Sequence, residues 1–170
     1  MKTNLTSYTL VVFKSTLKFK LLFFFLLVNT VFAFAQTCNA KINVIKNRNI
    51  RSTTNEGTYY KMSITNNGSN NDEYSLSSYI INTNCENKDG SSSAKNVVLN
   101  VSFEDNNFKP ITEIIIHPGK TLTFLAHITV PINTPLERWC CAQITATSKA
   151  CPSYKISATL HTLVINSNDN

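Results

Sequence analysis

The stretch TLTFLAHITVP, residues 121–131, decides the fold class of this chain. Apolar side chains occupy every second position and mostly polar ones lie between them, which is the period of a half-buried β-strand. Pro131 ends the run because proline has no N–H to donate to a strand ladder. We therefore predict a long strand with one apolar face and one polar face. The apolar face consists of Leu122, Phe124, Ala126, Ile128 and Val130, and the polar face of Thr121, Thr123, His127 and Thr129.

Seven further runs show the same alternation, and turn residues separate them. They cover residues 38–44, 60–64, 74–80, 97–103, 111–116, 140–146 and 156–164. Asn66-Asn67-Gly68 and Pro118-Gly119 are typical turn sequences between such runs. No helical periodicity follows residue 35. The pattern predicts an all-β fold, an immunoglobulin-like antiparallel β-sandwich of about seven to eight strands.

Residues 1–35 have the three parts of a secretory signal peptide: lysines, an apolar run from Leu21 to Leu27, and the small-x-small site Ala33-Phe34-Ala35. The apolar segment is shorter than the roughly 20 residues that a membrane-spanning helix needs. We expect cleavage before Gln36, no lipid on Cys38, and no membrane span in the mature chain. The predicted organisation is a signal peptide (residues 1–35) and one secreted or periplasmic domain (residues 36–170).

The net charge of +6 belongs largely to this leader, which contains four lysines and no acidic residue. Removing those four from the 16 basic residues leaves 12 against 10 acidic ones, a mature net charge of +2. We expect no nucleic-acid partner, because nucleic-acid-binding domains carry a strong basic excess.

All five cysteines follow the predicted cleavage site, where an oxidising compartment permits disulfide bonds. An up-and-down count of the strands places Cys38 at the same end of the sandwich as the Cys140–Cys141 pair, and Cys85 at the same end as Cys151. The strand pleat points Cys140 inward, as it does Cys38. The sequence therefore predicts the bridges Cys38–Cys140 and Cys85–Cys151. Cys141 would be the odd thiol, although an exchange of roles between Cys140 and Cys141 stays open.

Several segments together resemble a known class of module. They are YYKMSITNNG (59–68), PGK (118–120), TLTFLAHITVPINTP (121–135) and ITATS (144–148). The order of an Asn-rich turn, a Pro-Gly turn and a Thr-rich strand ending in Val-Pro is similar to NEW3-type and fibronectin-III-like domains of exported bacterial proteins. The resemblance covers about residues 57–166 and implies a structural or accessory β-sandwich, usually non-catalytic. The five cysteines and the lack of an attached catalytic domain depart from that pattern.

Catalytic, metal and cofactor sites are not indicated by the sequence. The three histidines, His117, His127 and His161, lie outside any nucleophile motif, and we expect each at the surface. The paired acids Glu104-Asp105 and Asp72-Glu73 border turns, where acidic residues are common. Cysteine spacing of the C-x-x-C type, which zinc sites use, is missing, and the four glycines are isolated. We expect a protein that is not an enzyme and binds no cofactor.

Tyr59, Tyr79 and Trp139 fall outside the apolar register of their strands and form a candidate ligand platform. Exposed aromatic rings can stack on sugar rings while neighbouring Asn and Ser side chains bond to hydroxyl groups. The function predicted from the sequence is an exported, non-catalytic module with a structural or protein-binding accessory role. The alternative is a small secreted carbohydrate-binding protein. The partner, protein or glycan, is not identified.

Overall fold

The computed structural model describes residues 38–81 and 96–166, and nine β-strands run through them. They are β1 (Ala40–Val44), β2 (Ile50–Thr53), β3 (Thr58–Asn66), β4 (Asp72–Ile80), β5 (Asn100–Glu104), β6 (Glu113–Ile116), β7 (Thr121–Thr129), β8 (Arg138–Ser148) and β9 (Lys155–Val164). A 3-10 turn, Ile45–Asn47, connects β1 to β2. The predicted all-β fold is confirmed. The predicted signal peptide and Cys85 lie outside the described residues.

The strands form two sheets, as expected for a β-sandwich. One has four strands in the order β1-β3-β7-β5, and the other has five in the order β2-β9-β8-β4-β6. All pairings are antiparallel except that of β2 with β9, which is parallel. Strand β2 was not predicted, because it is only four residues long. Its inward side chains are Arg51 and Thr53, so it has no apolar alternation to detect.

Side chains from both sheets interdigitate in a single core. The apolar face predicted for residues 121–131 is confirmed at its centre, where Phe124, Ala126 and Ile128 are fully buried. Tyr60 of β3 crosses this core, and its hydroxyl donates to the His161 backbone oxygen at 2.7 Å. Because such bonds satisfy the phenol, an aromatic ring with a polar end is stable inside the sandwich.

The connection between β5 and β6 contains a reversal of chain direction that the sequence analysis did not predict. After β5 the chain turns at Asp105, and the Ile111 N–H donates back to the Phe103 oxygen at 2.9 Å. Residues 109–111 therefore run back along β5 before the chain crosses to the other sheet and forms β6. Strands β5 and β6 consequently run in the same direction, although consecutive strands were expected to alternate.

This extra reversal overturns the predicted disulfide pairing. Cys38 is bonded to Cys151, with their Cα atoms 6.4 Å apart, whereas Cys140 is a buried free thiol. Cys141, the predicted odd thiol, is disulfide-bonded as well. Cys38 and Cys151 lie where β1 and β9 begin, which we call the disulfide end. Residues Cys140 and Cys141 lie near the start of β8, at the opposite end. The predicted bridges Cys38–Cys140 and Cys85–Cys151 are therefore wrong.

The predicted inward direction of Cys140 is correct. The inference that the inward cysteine forms the bridge and the outward one stays free was wrong. Cys140 points into the core as expected. Its neighbour Cys141 points to the outer face of the five-stranded sheet, and that outward cysteine forms the bridge. Burial raises the pKa of the Cys140 thiol to about 11, which keeps it protonated and unreactive at neutral pH. Within residues 38–81 and 96–166, no helix is long and apolar enough to cross a membrane.

Candidate functional site

The three aromatic residues of the predicted platform do not share a surface. Tyr59 lies on the outer face of the four-stranded sheet, whereas Tyr79 lies on the outer face of the five-stranded sheet. Trp139 is only 8% exposed, so its ring is not available to a ligand in this conformation. Tyr79 is the most exposed of the three, at 69%. A single platform built from these residues is not present.

Tyr59 belongs instead to an aromatic cluster that the sequence did not reveal. Its ring stacks on that of His127, with ring centres 4.0 Å apart, and meets the edge of Phe108 at 5.6 Å. His127 Nδ1 also lies 3.2 Å from the Glu104 carboxylate. Strand register explains the assembly, because Tyr59 and His127 are direct cross-strand partners. Alternation alone placed His127 outward but gave no information about its neighbour.

The turn after β5 presents Phe108 to solvent. The Asp105 carboxylate accepts hydrogen bonds from the Lys109 and Asn107 N–H groups, and these bonds lower its pKa. Phe108 adopts a left-handed φ of 60° and is 63% exposed. A bulky residue in that backbone region is uncommon, and such positions are enriched at functional sites.

A catalytic arrangement is not assembled around these groups. Ser102 lies opposite His127 in the sheet, yet no hydrogen bond joins the two side chains, as a nucleophile and base would need. Asp72 is buried and accepts from Ser148, while Glu73 pairs with Lys149. Among the described residues there is no group of three or more side chains that could hold a metal ion.

The histidines divide into three environments. His117 is exposed as expected, and its Nδ1 lies 2.8 Å from the Asn71 side-chain oxygen. His127 is half-buried in the aromatic cluster. His161 is 9% exposed, so its predicted surface position is wrong. Its side chain does point away from the core, opposite Cys141, but that part of the outer face is itself covered.

A groove separates the two sheets where β1 and β9 diverge. It has a volume of about 320 Å³, and we call it the edge groove. Its lining residues are Ile42, Asn43, Val44, Asn47, Asn49, Ala158 and Thr159. Three asparagine side chains and a threonine make the lining largely polar, with apolar contacts from β1 and β9. The volume is at the lower end of the roughly 300–1,000 Å³ of ligand pockets.

The backbone of β1 points unpaired polar groups into the edge groove. The Asn67 N–H donates to the Asn39 oxygen, so odd-numbered residues of this segment bond to β3. Ala40 faces the other way, and both its N–H and its oxygen meet the Tyr154 hydroxyl. Because the direction alternates along a strand, Ile42 presents its N–H and C=O groups to the groove and Val44 presents its N–H, while the Val44 oxygen takes part in the 3-10 turn that follows. Strand β1 is at the edge of its sheet, so no described strand pairs with them there.

Strand β9 faces the groove from the opposite side in the same way. The His161 N–H donates to the Asn49 oxygen, away from β8. By the same alternation, the backbone groups of Ser157 and Thr159 point to this side. Strand β2 covers β9 only from His161 to Val164, so the first half of β9 has no strand partner on this edge.

A strained turn forms the end of the groove. Lys46 and Asn47 have left-handed φ angles of 59° and 54°, a conformation that costs roughly 1–2 kcal/mol for an ordinary L-residue. The turn carries the chain from one sheet to the other. It also brings the Asn49 side chain within 3.5 Å of the Thr159 oxygen. The bend therefore positions two of the three groove asparagines.

The disulfide end fixes the other limit of the groove. Next to the Cys38–Cys151 bridge, the Ser148 hydroxyl donates to the buried Asp72 carboxylate at 2.6 Å and accepts from the Cys151 N–H at 2.9 Å. The Ala150 N–H contacts the second carboxylate oxygen at 3.3 Å. These bonds tie the β8–β9 turn to the start of β4, so β9 begins at a defined position beside β1.

The comparisons with known proteins concern the fold alone. No protein-family model matches the chain, and no curated protein sequence matches it. Solved structures that resemble it include a family 123 glycoside hydrolase from Clostridium perfringens, with a TM-score of 0.50 and 14% identity. That match covers 76% of this chain but only 28% of the hydrolase.

Two further structures are similar at lower scores. A FixG-related protein from Vibrio parahaemolyticus has a TM-score of 0.48 and 16% identity, and the match covers 74% of this chain and 95% of that one. The E. coli chaperone DraB has a TM-score of 0.44 and 8% identity, with 78% and 57% covered.

Proposed function

We propose that this protein is an exported, non-catalytic β-sandwich module that binds an extended segment of a partner protein in the edge groove. The observation that carries the proposal is the pair of unpaired strand edges, β1 and β9, that flank the groove. A structural or accessory, usually non-catalytic role is also what the resemblance to NEW3-type modules implies.

Unpaired strand edges favour a peptide as the occupant. An extended peptide adds to an exposed edge through main-chain hydrogen bonds, and pockets beside the edge select its side chains. The Ile42 and Val44 backbone groups supply the first requirement. Asn43, Asn47 and Asn49 add amides that can both donate and accept, as peptide groups do.

Export is supported by the disulfide bond. Cys38–Cys151 needs an oxidising compartment, which for a chain with a predicted signal peptide means the periplasm or the exterior. Intact-mass spectrometry of the exported protein should give a chain that begins at Gln36. A mature chain that retains residues 21–35 would contradict this part of the proposal.

Strand addition can be tested by removing one backbone donor. Val44 is extended, with φ −88° and ψ 124°. Proline requires a φ of about −65°, and the φ of Val44 is near that value. Val44→Pro therefore removes the groove-facing N–H with little expected damage to the fold. Val44→Thr is the matched control, because it keeps the N–H and the β-branched shape.

The assay is selection of random displayed peptides on the wild-type mature protein. We expect peptides with alternating side-chain patterns to be enriched, to bind Val44→Thr, and to lose binding to Val44→Pro. Circular dichroism checks that both variants keep the strand signal. Selected peptides that bind Val44→Pro as tightly as the wild type would contradict the proposal.

Carbohydrate binding is the second candidate, and the aromatic cluster favours it. Phe108 and Tyr59 are exposed on one face, with polar side chains such as Ser102 beside them. On a glycan array, a sugar-binding protein would lose its signal with Phe108→Ala and keep it with Tyr79→Ala on the opposite sheet. An array without any signal would contradict this candidate and leave the peptide-binding proposal unaffected.

A further inference from the structure

We infer that the segment bound in the edge groove is acidic. The inference rests on the proposed peptide-binding function and names the class of partner. It comes from the distribution of charge around the groove, which differs sharply from that of the remaining surface.

The part of the chain that surrounds the groove has basic residues and no acidic ones. Residues 38–53, which include β1, the 3-10 turn and β2, carry Lys41, Lys46, Arg48 and Arg51 without any Asp or Glu. Strand β9 adds Lys155, and residues 149–166 likewise contain no acid. Outside residues 38–53 and β9, the chain from residue 36 holds seven basic and ten acidic residues. The net charge of +2 for residues 36–170 is therefore the sum of five positive charges in residues 38–53 and β9 and a net negative charge in the rest.

In the part of the chain that the structure describes, none of these cations forms an ion pair with an acidic side chain. Among the described residues, the ion pairs join Lys149 to Glu73 and Glu113, and His127 to Glu104, all of them away from the groove. The Arg51 guanidinium lies 5.6 Å from the centre of the Tyr60 ring, a cation–π contact that leaves its charge uncompensated.

Three of the cations are sequence neighbours of residues that line the groove. Lys41, Lys46 and Arg48 directly adjoin lining residues in the sequence. Charges on a protein surface interact within a screening length of about 8 Å at physiological ionic strength. A peptide with carboxylates would meet several cations at once, whereas a basic peptide would be repelled by all of them.

Lysines at sheet edges also have a protective role, since they discourage edge-to-edge association of folded chains. That role predicts self-association when the charge is removed, without any effect on peptide binding. The two explanations therefore differ in what a charge-removing variant changes.

The test uses three short peptides with the same alternation, in which valine alternates with Glu, Gln or Lys. Binding is measured by titration at low and high salt with the mature wild-type protein, Val44→Pro, and two triple variants. Lys41→Gln/Arg48→Gln/Lys155→Gln removes charge near the groove. Lys109→Gln/Lys120→Gln/Arg138→Gln is the matched control and removes three exposed cations, again two lysines and one arginine, elsewhere.

We expect the Glu peptide to bind about tenfold more tightly than the Gln peptide, because several modest ion pairs add up. The groove variant and high salt should remove that difference, and the control variant should keep it. Equal binding of the Glu and Gln peptides, lost in Val44→Pro, would overturn the acidic class and leave strand addition standing. A Glu peptide that binds Val44→Pro unchanged would overturn both. No binding of the Glu peptide, or self-association of the groove variant as its sole change, would overturn the acidic class.

Discussion

Strands β1 and β9 are joined at the disulfide end and separated at the edge groove, and the two regions use the same kinds of residue differently. At the disulfide end, the Cys38–Cys151 bridge and the Tyr154 hydroxyl connect the strands, and the buried Ser148 hydroxyl donates to the Asp72 carboxylate. A few residues further along, the backbone groups of Ile42 and Val44 face a groove. If the fixed end keeps the unpaired edges in place before a peptide binds, the entropy cost of binding is lower.

The largest predicted effect is at the disulfide end. Cys38→Ala/Cys151→Ala should lower the free energy of unfolding by about 4–5 kcal/mol, because the bridge closes a loop of 113 residues in the unfolded chain. It should also weaken binding of selected peptides, since β1 and β9 lose their common fixed point. Urea unfolding and peptide titration measure the two effects.

Cys140→Ala is the matched control, because that thiol is buried but unbridged. It should cost much less than the double variant and should not change peptide binding. Peptide mapping without reduction should find Cys38 linked to Cys151 and Cys141 linked to Cys85, the remaining cysteine. A bridge from Cys38 or Cys151 to Cys140 would show that the strand directions described above are wrong.

The sequence was sufficient for the fold class but not for the strand directions. The alternation in β7 predicted both the strand and its buried face, because the period of the side chains depends only on local geometry. The return of residues 109–111 along β5 was not predicted, since three residues that include Pro110 have no detectable period. One missed reversal exchanged the ends of all later strands, and with them the cysteine pairing.

The candidate sites could not be predicted for a related reason. The edge groove lies between strands that are more than 100 residues apart in sequence, and alternation does not tell which strand lies beside which. The aromatic cluster depends on the cross-strand pairing of Tyr59 with His127 and on the unusual φ of Phe108. The basic residues near the groove were visible from the start, but their grouping appears only when β1 and β9 are placed together.

The second prediction concerns Tyr60, which holds β9 beyond the groove. Its hydroxyl contacts the His161 oxygen and the Thr162 hydroxyl, and burial raises the pKa of the phenol to about 12. Between pH 10 and pH 12 the unfolded chain therefore binds fewer protons than the folded one. Stability should fall with rising pH across that range, by about 2–3 kcal/mol from this group.

Tyr60→Phe removes this titration. It should lower stability by about 1–2 kcal/mol at pH 8, where two hydrogen bonds are lost, and its deficit should shrink or reverse above pH 11. Both proteins should carry Cys140→Ala, since that thiol also titrates in alkali and can attack disulfides. Parallel pH profiles for the two proteins would contradict the assignment.

The third prediction is a matched pair of serines on the β8–β9 hairpin. Ser148→Ala should cost about 2 kcal/mol, because it leaves the buried Asp72 carboxylate and the Cys151 N–H without this partner. Ser157→Ala, which removes an exposed contact with Gln143, should cost less than about 0.5 kcal/mol. Thermal unfolding of the two variants at one pH gives the comparison. Equal costs would mean that the polar network at the disulfide end does not hold the strands.

The smallest predicted effect on stability is in the edge groove, and it should accompany the clearest effect on binding. Within residues 38–81 and 96–166 the Asn43 side chain makes no hydrogen bond, so Asn43→Ala should change the free energy of unfolding by less than about 0.5 kcal/mol. If the amide bonds to a bound peptide, the same variant should weaken binding about tenfold, which corresponds to roughly 1.4 kcal/mol. Ser63→Ala, the cross-strand neighbour of Asn43 on β3, removes a polar group outside the groove lining and should change neither quantity. A loss of stability in Asn43→Ala without loss of peptide binding would mean that Asn43 stabilises the fold and does not bind a ligand. The contrast between the disulfide end, which stabilises the fold, and the edge groove, which binds a peptide, would then be contradicted.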